Sequence, residues 1–535
     1  MGKTHKQTFL QGALILVAAN ALVKIIGALF KVPLTYLIHR DGMGIFNTAY
    51  TMYTWMFVIA TAGLPIAVSK MVSESVARGS RQEAHKVFHV AFYLLSVIGI
   101  AGTAVLFFGA KFFADALGNS RAYLAIMAVS PALLFVALMS AYRGYFQGLQ
   151  NMIPTAVSEV IEALGKLVIG YLLAYLWLSR GVEYASAGAV LGVSTGAFLG
   201  AVGLYIIYQI SHEKLLNRVD TAKSSNIKIR STRQILSELV RIAVPITIGA
   251  SVFSLTNVID MAMIMNRLKS IGFSEIEASS LYGSHSGYAV PMFNLPPTII
   301  VALSISIVPA IASALAVNNI KLAKKTTESA LRITLLFALP SAIGLSLLAE
   351  PILQLVYKDT GATTLLNILG IAVVFVSLVL VTNAILQATG RVMIPVRNML
   401  IGGSVKVITN YILVGIPEIN INGAPIGTNI CYFVIIVLNL AAVRKATNAE
   451  YKFIDFILKP IIAVASMGIA VIFTYNKSML ITQSNTISTL GAIAAGALIY
   501  GLMLIAIGGI KKDDIEMMPK GEKILKLFNK FGLLK

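Results

Sequence analysis

A stripe of polar and cationic side chains lies inside the first long apolar segment of this chain. Its members, at spacings of four, three and four residues, are Asn20, Lys24, Gly27 and Lys31. This spacing places all four on one face of a helix. A cation near the middle of a membrane span costs about 3 kcal/mol on insertion scales. The stripe therefore predicts a site that presents positive charge to an anion within the membrane.

A second cluster of charge lies in the fifth apolar segment. Glu159, Glu162 and Lys166 are spaced by three and four residues, so they share a helix face. Glu162 precedes Lys166 by four residues, the favourable order for an intrahelical ion pair. The cluster either holds the fourth and fifth spans together or has a functional role, in which the carboxylates balance the cavity cations or bind a proton during transport. Arg143, at the end of the fourth span, is a further candidate for substrate binding.

Two later segments carry weaker signals. Asn257 and Asp260 lie three residues apart in the seventh span, a pair that could ligate Na⁺ or take up a proton. Lys406, with Asn410, adds a cation to the eleventh span. We predict no metal site, because the only His pair at a ligand-like spacing, at 85 and 89, has no third ligand nearby.

The composition is that of a polytopic membrane protein. The chain has 535 residues, of which 57% are hydrophobic and 12% charged, and its mean hydropathy is +0.82. Soluble domains carry about 25% charged residues. The single cysteine, Cys431, excludes an intrachain disulfide. Because no catalytic dyad or phosphate-binding loop is present, the sequence predicts neither an enzyme nor an ATP-driven pump, and no cofactor apart from Na⁺, H⁺ or the membrane potential as energy source.

Apolar segments of spanning length number about fourteen. Their positions are 9–37, 43–68, 87–110, 122–146, 155–178, 185–210, 237–265, 281–315, 328–349, 363–389, 395–416, 423–443, 456–475 and 487–510. The eighth is overlong and contains four prolines, which predicts a break or kink within it. The predicted fold class is an all-α polytopic membrane protein.

Loop charges support this count of spans. The loops on the side of the N terminus hold 28 Lys and Arg, and the opposite loops hold eight. By the positive-inside rule, both termini are cytoplasmic in a bacterial cell membrane, and the net charge of +20 reflects topology rather than nucleic-acid binding. Arg241, Arg332 and Lys459 lie within about a turn of cytoplasmic span ends, which predicts interfacial snorkelling.

A faint internal repeat predicts two lobes. Residues 65–69 resemble 309–313, and 146–148 resemble 386–388, so both pairs lie six spans apart. We therefore predict two six-helix lobes related by a pseudo-two-fold axis along the membrane normal, plus two extra C-terminal helices. The predicted parts are an N-lobe at 1–210, a basic cytoplasmic linker at 211–236, a C-lobe at 237–443, spans 13 and 14 at 455–510, and a basic amphipathic tail at 511–535. The tail is predicted to lie on anionic inner-leaflet lipids.

Several stretches resemble a known family. They are GLPIAVSK at 63–70, RGYFQGLQNMIPTA at 143–156, YAVP at 288–291, and 386–395. They resemble the polysaccharide transporter family in its stage V sporulation protein B and MurJ-type lipid II flippase branch, which belongs to the multidrug/oligosaccharidyl-lipid/polysaccharide exporter superfamily. The resemblance implies two lobes around a central cationic cavity that opens alternately to either side, cavity-facing basic residues at Lys24 and Lys31, and a lipid-tail groove formed by spans 13 and 14.

The predicted function is to flip an undecaprenyl-diphosphate-linked saccharide from the inner to the outer leaflet. The first candidate for this cargo is the peptidoglycan precursor lipid II. The family often has arginine where this chain has lysine, and lysine lacks the bidentate fork for a diphosphate. One alternative is a cation-coupled multidrug antiporter that uses Asp260. Another is a non-transporting scaffold that recruits cell-wall synthesis proteins. Vegetative and sporulation roles are both open.

Overall fold

The computed structural model describes residues 9–216, 229–450 and 454–509. Residues 217–228 of the predicted linker and the whole of the predicted amphipathic tail lie outside the described residues. The described chain forms helices joined by turns, and it divides into two compact units. The first comprises Met1–Lys269 and Phe273–Gly283, and the second Ser270–Gly272 and Ser284–Lys535.

The first unit contains eleven α-helices among its described residues, and a π-helical turn, Lys166–Gly170, connects α7 to α8. The helices are α1 Phe9–Thr61, α2 Leu64–Ala77, α3 Arg81–Phe108, α4 Ala110–Ala116, α5 Tyr123–Val129, α6 Ala132–Gly148, α7 Ile153–Gly165, α8 Tyr171–Trp177, α9 Val182–Leu216, α10 Thr232–Ser270 and α11 Glu275–Gly283.

The second unit begins with a π-helical turn, Ser284–Ala289, and has another at Ile454–Leu458. Its α-helices are α12 Val290–Phe293, α13 Leu295–Ala316, α14 Ile320–Leu347, α15 Ala349–Tyr357, α16 Thr363–Ala388, α17 Met393–Leu413, α18 Gly423–Thr447, α19 Lys459–Thr482 and α20 Asn485–Ala506. Cys431, on α18, is buried.

The predicted fold class is confirmed. Ten helical stretches of the described chain are long and apolar enough to cross a membrane, and one of them, Ile15–Ala77, holds the first two predicted spans in 63 residues. Each of the fourteen predicted spans overlaps a helix. The lobe boundaries stay a prediction. Residues 237–269 and 273–283, which the prediction assigns to the C-lobe, belong to the first compact unit, in which α11 lies against α1.

Breaks in the long spans have local causes. The eighth span is interrupted as predicted, by the π-turn at 284–289 and again at Asn294, between α12 and α13. Prolines occupy the first positions of both helices, where the missing N–H groups cost no helical hydrogen bond. Within α1, His39 has φ 52° and ψ −164°, so the helix is kinked there.

The repeated motifs meet in space. In the first unit, a Cβ added at Gly144 would lie 2.8 Å from the Pro65 carbonyl oxygen, and one at Gly148 would lie 2.7 Å from that of Ser69. The backbones of α2 and α6 therefore touch, which only glycine permits. In the second unit, Ile311 and Leu386, from the corresponding segments, share one buried core cluster. The internal repeat thus corresponds to a helix contact in each unit.

One prediction about interfacial cations is wrong. Arg332 is only 5% exposed, and its guanidinium carbon lies 5.7 Å from the centre of the Phe456 ring. The aromatic ring and the packed core around α14 bury this side chain, so it does not snorkel to an interface. Lys459 does reach a helix end, where it donates to the Gly508 carbonyl at 3.0 Å.

Candidate functional site

No residue of the stripe on α1 is fully buried. Lys24 and Asn20 are exposed, and Asn20 donates to the Leu16 carbonyl of its own helix at 2.9 Å. Lys24 makes no hydrogen bond or ion pair with any residue of the described chain. Lys31, two helical turns on, is half-buried. The stripe therefore combines one unpaired cation with a second that is packed into the protein.

A third cation, Lys166 of the π-turn, lies against the helix that carries the stripe. The Lys166 ammonium lies 5.1 Å from the centre of the Phe30 ring and 4.9 Å from that of Tyr50, both on α1. Lys31 directly follows Phe30, so the Lys166 ammonium lies against the turn of α1 that carries Lys31. The fold thus brings together two cations that are 135 positions apart in the chain. The sequence reading did not identify the two rings, although Phe30 directly precedes Lys31.

The predicted ion pair between Glu162 and Lys166 is wrong. Glu162 instead accepts a hydrogen bond from Arg143 of α6 at 3.0 Å, and the same guanidinium donates to Ser158 at 3.0 Å. An arginine that reaches across from the neighbouring helix satisfies the carboxylate, while the aromatic rings hold Lys166 on the α1 side. Arg143 and Glu162 therefore join α6 to α7, which agrees with the structural alternative for this cluster.

Glu159 is the less satisfied carboxylate of the two. Its Oε2 atom is buried and has no hydrogen-bond partner in the described chain, although Arg143 and Glu162 are both close enough to interact electrostatically. Burying a charge without a donor is unfavourable, and uptake of a proton would relieve it. A coupling role for Glu159 stays a prediction.

Removing Arg143 should destabilise the first unit, because Glu162 would lose its partner in a partly buried position. We expect Arg143→Met to lower the free energy of unfolding by about 2 to 3 kcal/mol, measured by SDS titration in mixed micelles. The double variant Arg143→Met/Glu162→Gln should recover part of that loss. Lys70→Met, which removes an exposed pair with Glu74 at 3.9 Å, is the control and should have little effect. Equal losses in the single and double variants would contradict an ion pair of structural importance.

The remaining predicted site residues lie elsewhere. On α10, Asn257 is exposed and Asp260 is only 8% exposed. Lys406, on α17 in the second unit, is half-buried. Asn410 is buried on the same helix, where its side chain fills the space beside Gly427. Roles for these residues in ion coupling or substrate binding stay predictions.

A charged network that the sequence reading missed lies at the α1 kink. Arg121 binds both carboxylate oxygens of Asp41, at 2.8 and 2.9 Å, and one oxygen of Glu183 at 2.7 Å. Its backbone N–H donates to Glu275 at 3.1 Å. The buried Asn119 donates to Ser279 of α11 at 3.3 Å. The sequence offered no signal, because Arg121 appears there as an ordinary loop cation.

A second network fixes the start of α10. Glu83 is only 1% exposed, and it accepts hydrogen bonds from Arg230 at 2.7 Å and from Arg78 at 3.0 Å. Arg230 also pairs with Glu238 on α10, at 2.5 Å. The described end of the basic linker is therefore tied to the turn between α2 and α3.

The many apolar helices define a polytopic membrane protein, and its first unit carries the cation cluster on α1 and the π-turn. The chain belongs to the polysaccharide biosynthesis protein family, whose model matches residues 9–316. The MatE model matches residues 283–412. Together they identify a transporter of the multidrug/oligosaccharidyl-lipid/polysaccharide exporter superfamily, and not an enzyme.

Relatives of known name agree with this assignment. Stage V sporulation protein B of Bacillus subtilis (strain 168) is 27% identical over 516 residues, which cover 96% of this chain and 98% of that protein. Lipid II flippase MurJ of the same organism is 27% identical over 482 residues, which cover 86% and 87%. A solved structure of lipid II flippase MurJ in an inward closed conformation has a TM-score of 0.65 at 15% identity, and covers 92% of this chain and 98% of that chain. This last similarity shows the fold.

Proposed function

We propose that the protein flips an undecaprenyl-diphosphate-linked saccharide from the inner to the outer leaflet of the bacterial cell membrane. The first candidate for this cargo is lipid II. The observation that carries the proposal is the Lys166 ammonium over the Phe30 ring, next to Lys31, with Lys24 two turns away on the same face of α1 and without a partner in the described chain. Like charges repel, so such a cluster is stabilised when an anion binds. The relative named lipid II flippase MurJ supports a lipid-linked saccharide as the cargo.

The chemistry of a diphosphate fits these side chains. Each ammonium can donate three charge-assisted hydrogen bonds to phosphoryl oxygens. Lysines hold the group as point charges and lack the fork of arginine, so the diphosphate can shift between Lys24 and Lys31 without losing a fixed bidentate pair. Arg143 and Lys406 would be secondary contributors. Alternating access would expose the site to each side in turn, driven by the membrane potential or by a gradient of H⁺ or Na⁺.

The orientation and partners are part of the proposal. The excess of Lys and Arg in the loops on one side supports cytoplasmic termini. Anionic inner-leaflet lipids would bind the basic tail, and cell-wall synthesis proteins would supply the cargo and use it.

The test is rescue of a bacterial strain depleted of its own flippase. Lys24→Ala and Lys31→Ala should each reduce the lipid II that reaches the outer leaflet at least tenfold at equal protein level, because each removes a cation from the anion site. Lys111→Ala is the matched control, since Lys111 is exposed on α4, and it should rescue fully. Full rescue by both stripe variants would exclude a diphosphate site on α1.

A cation-coupled multidrug antiporter is the second candidate, favoured by the MatE match over residues 283–412 and by the buried carboxylate of Asp260. It predicts drug sensitivity in a deletion strain and loss of resistance in Asp260→Asn. Unchanged drug sensitivity, together with accumulation of lipid-linked precursors in the inner leaflet, would decide in favour of the flippase.

A further inference from the structure

Helix α9 touches the π-turn at its backbone. A Cβ added at Gly192 would overlap the Cα of Gly170 and lie 3.0 Å from the Lys166 carbonyl oxygen. One added at Gly196 would lie 2.9 Å from the Lys166 backbone nitrogen. Gly192 and Gly196 are four residues apart, so they share one face of α9. The carbonyl oxygen of Lys166 therefore lies against Gly192, and its backbone nitrogen lies against Gly196.

The π-turn also lies against α1. A Cβ added at Gly170 would lie 3.2 Å from the Phe30 ring, and this ring also lies under the Lys166 ammonium. A π-turn holds one more residue than an α-helical turn, and such turns occur often at functional sites. The backbone is fixed by α9 and the side chain lies over rings of α1, so the position of the charge depends on how closely α9 approaches.

We propose that Gly192 and Gly196 are positioning residues that set the Lys166 ammonium beside Lys31 in the diphosphate site. This inference rests on the proposed function. The α9 glycines do not contact the substrate. They permit a backbone approach that a single methyl group would prevent, and the π-turn would then have to move toward α1 or change its conformation. Displacing a binding group by about 1 Å can cost up to a hundredfold in rate.

The inference predicts that Gly192→Ala and Lys166→Ala are non-additive. We expect each variant alone to weaken binding of farnesyl diphosphate to the purified full-length protein about tenfold, measured by titration calorimetry in detergent, and the double variant to be no weaker than Lys166→Ala. Gly203→Ala is the matched control. It lies on the same helix and faces α7, but its methyl group would meet only the end of the Ile161 side chain, at 3.1 Å. Its affinity should not change.

A milder variant covers the case in which Gly192→Ala does not fold. Gly170→Ala places its methyl 2.9 Å from the Ala189 carbonyl oxygen, and it should show the same non-additivity with Lys166→Ala at a smaller amplitude. Lys166→Arg, whose side chain reaches further, should restore part of the affinity in either glycine background. A glycine acting only through overall stability would give no such rescue.

The outcomes separate the inference from the proposed function. Additive losses in the double variant would overturn the inference alone. Unchanged affinity in Lys166→Ala, with losses in Lys24→Ala and Lys31→Ala, would also overturn it and leave the flippase in place. Failure of the wild-type protein to bind farnesyl diphosphate, together with full rescue by the stripe variants, would remove the proposed function itself.

Discussion

Replacing Arg121 with methionine should lower the free energy of unfolding by about 3 kcal/mol, one of the two largest effects expected of a single substitution in this protein. The guanidinium is 21% exposed, and it holds Asp41 through both oxygens and Glu183 through one. Without it, Asp41 and Glu183 lose the guanidinium that both of them bind. Removing one partner of a partly buried ion pair leaves the other with an unmet desolvation cost.

The measurement for Arg121 is SDS titration of the purified protein in mixed micelles. Arg121→Lys should fall between the wild type and Arg121→Met, because an ammonium keeps the charge but cannot form the two parallel bonds to Asp41. Arg180→Met is the control, since Arg180 is exposed and has no partner among the described residues. A transition for Arg121→Met that coincides with that of the control would show that the network adds nothing to stability.

Gly283→Ala should also cost about 3 kcal/mol of unfolding free energy. The added methyl would overlap the Arg40 carbonyl oxygen and lie 2.8 Å from the Gly44 backbone nitrogen. Both are backbone atoms, so no change of rotamer can relieve the contact. Helix α11 would have to move away from α1, and the hydrogen bond from Ser279 to the Asp41 carbonyl, at 3.2 Å, would break.

The control for Gly283 is Gly344→Ala on α14, where nothing lies within 4 Å of the added methyl. Alanine is the better helix former by about 1 kcal/mol, so this variant should be neutral or slightly more stable. The two alanine variants are compared by thermal unfolding in detergent, with trypsin cleavage in native membranes as a second measurement. Wild-type behaviour of Gly283→Ala would show that α11 does not pack on α1 as described.

The membrane spans could be predicted because a bilayer requires apolar residues over each short stretch of chain that crosses it. Each crossing needs its own run of about 20 apolar residues, and prolines mark the break in the eighth span without reference to any neighbour. The kink at His39 also falls between two predicted spans.

The charged contacts were harder to predict, since they depend on which helix faces meet. Arg121 and Asp41 are 80 positions apart and Arg143 and Glu162 are 19 apart, so no local spacing indicates either pair. The spacing of four residues favoured an ion pair between Lys166 and Glu162. In the structure Glu162 instead pairs with Arg143 of α6, and Lys166 lies over the rings of α1. The sequence thus identified which cations lie within spans, and tertiary packing decided their partners.

The position of the Lys166 ammonium over two aromatic rings has a consequence for how fast an anionic cargo would bind and leave. A carboxylate partner would neutralise the ammonium and occupy its N–H groups, so an incoming anion would first have to displace it. Phe30 and Tyr50 attract the charge through their π-electron faces and accept none of its N–H groups as conventional hydrogen bonds. In the proposed flippase, an arriving phosphoryl group would bind the ammonium without displacing a counter-ion, and its departure would leave the ammonium over the two rings. Such a residue favours rapid turnover over long residence of the bound anion.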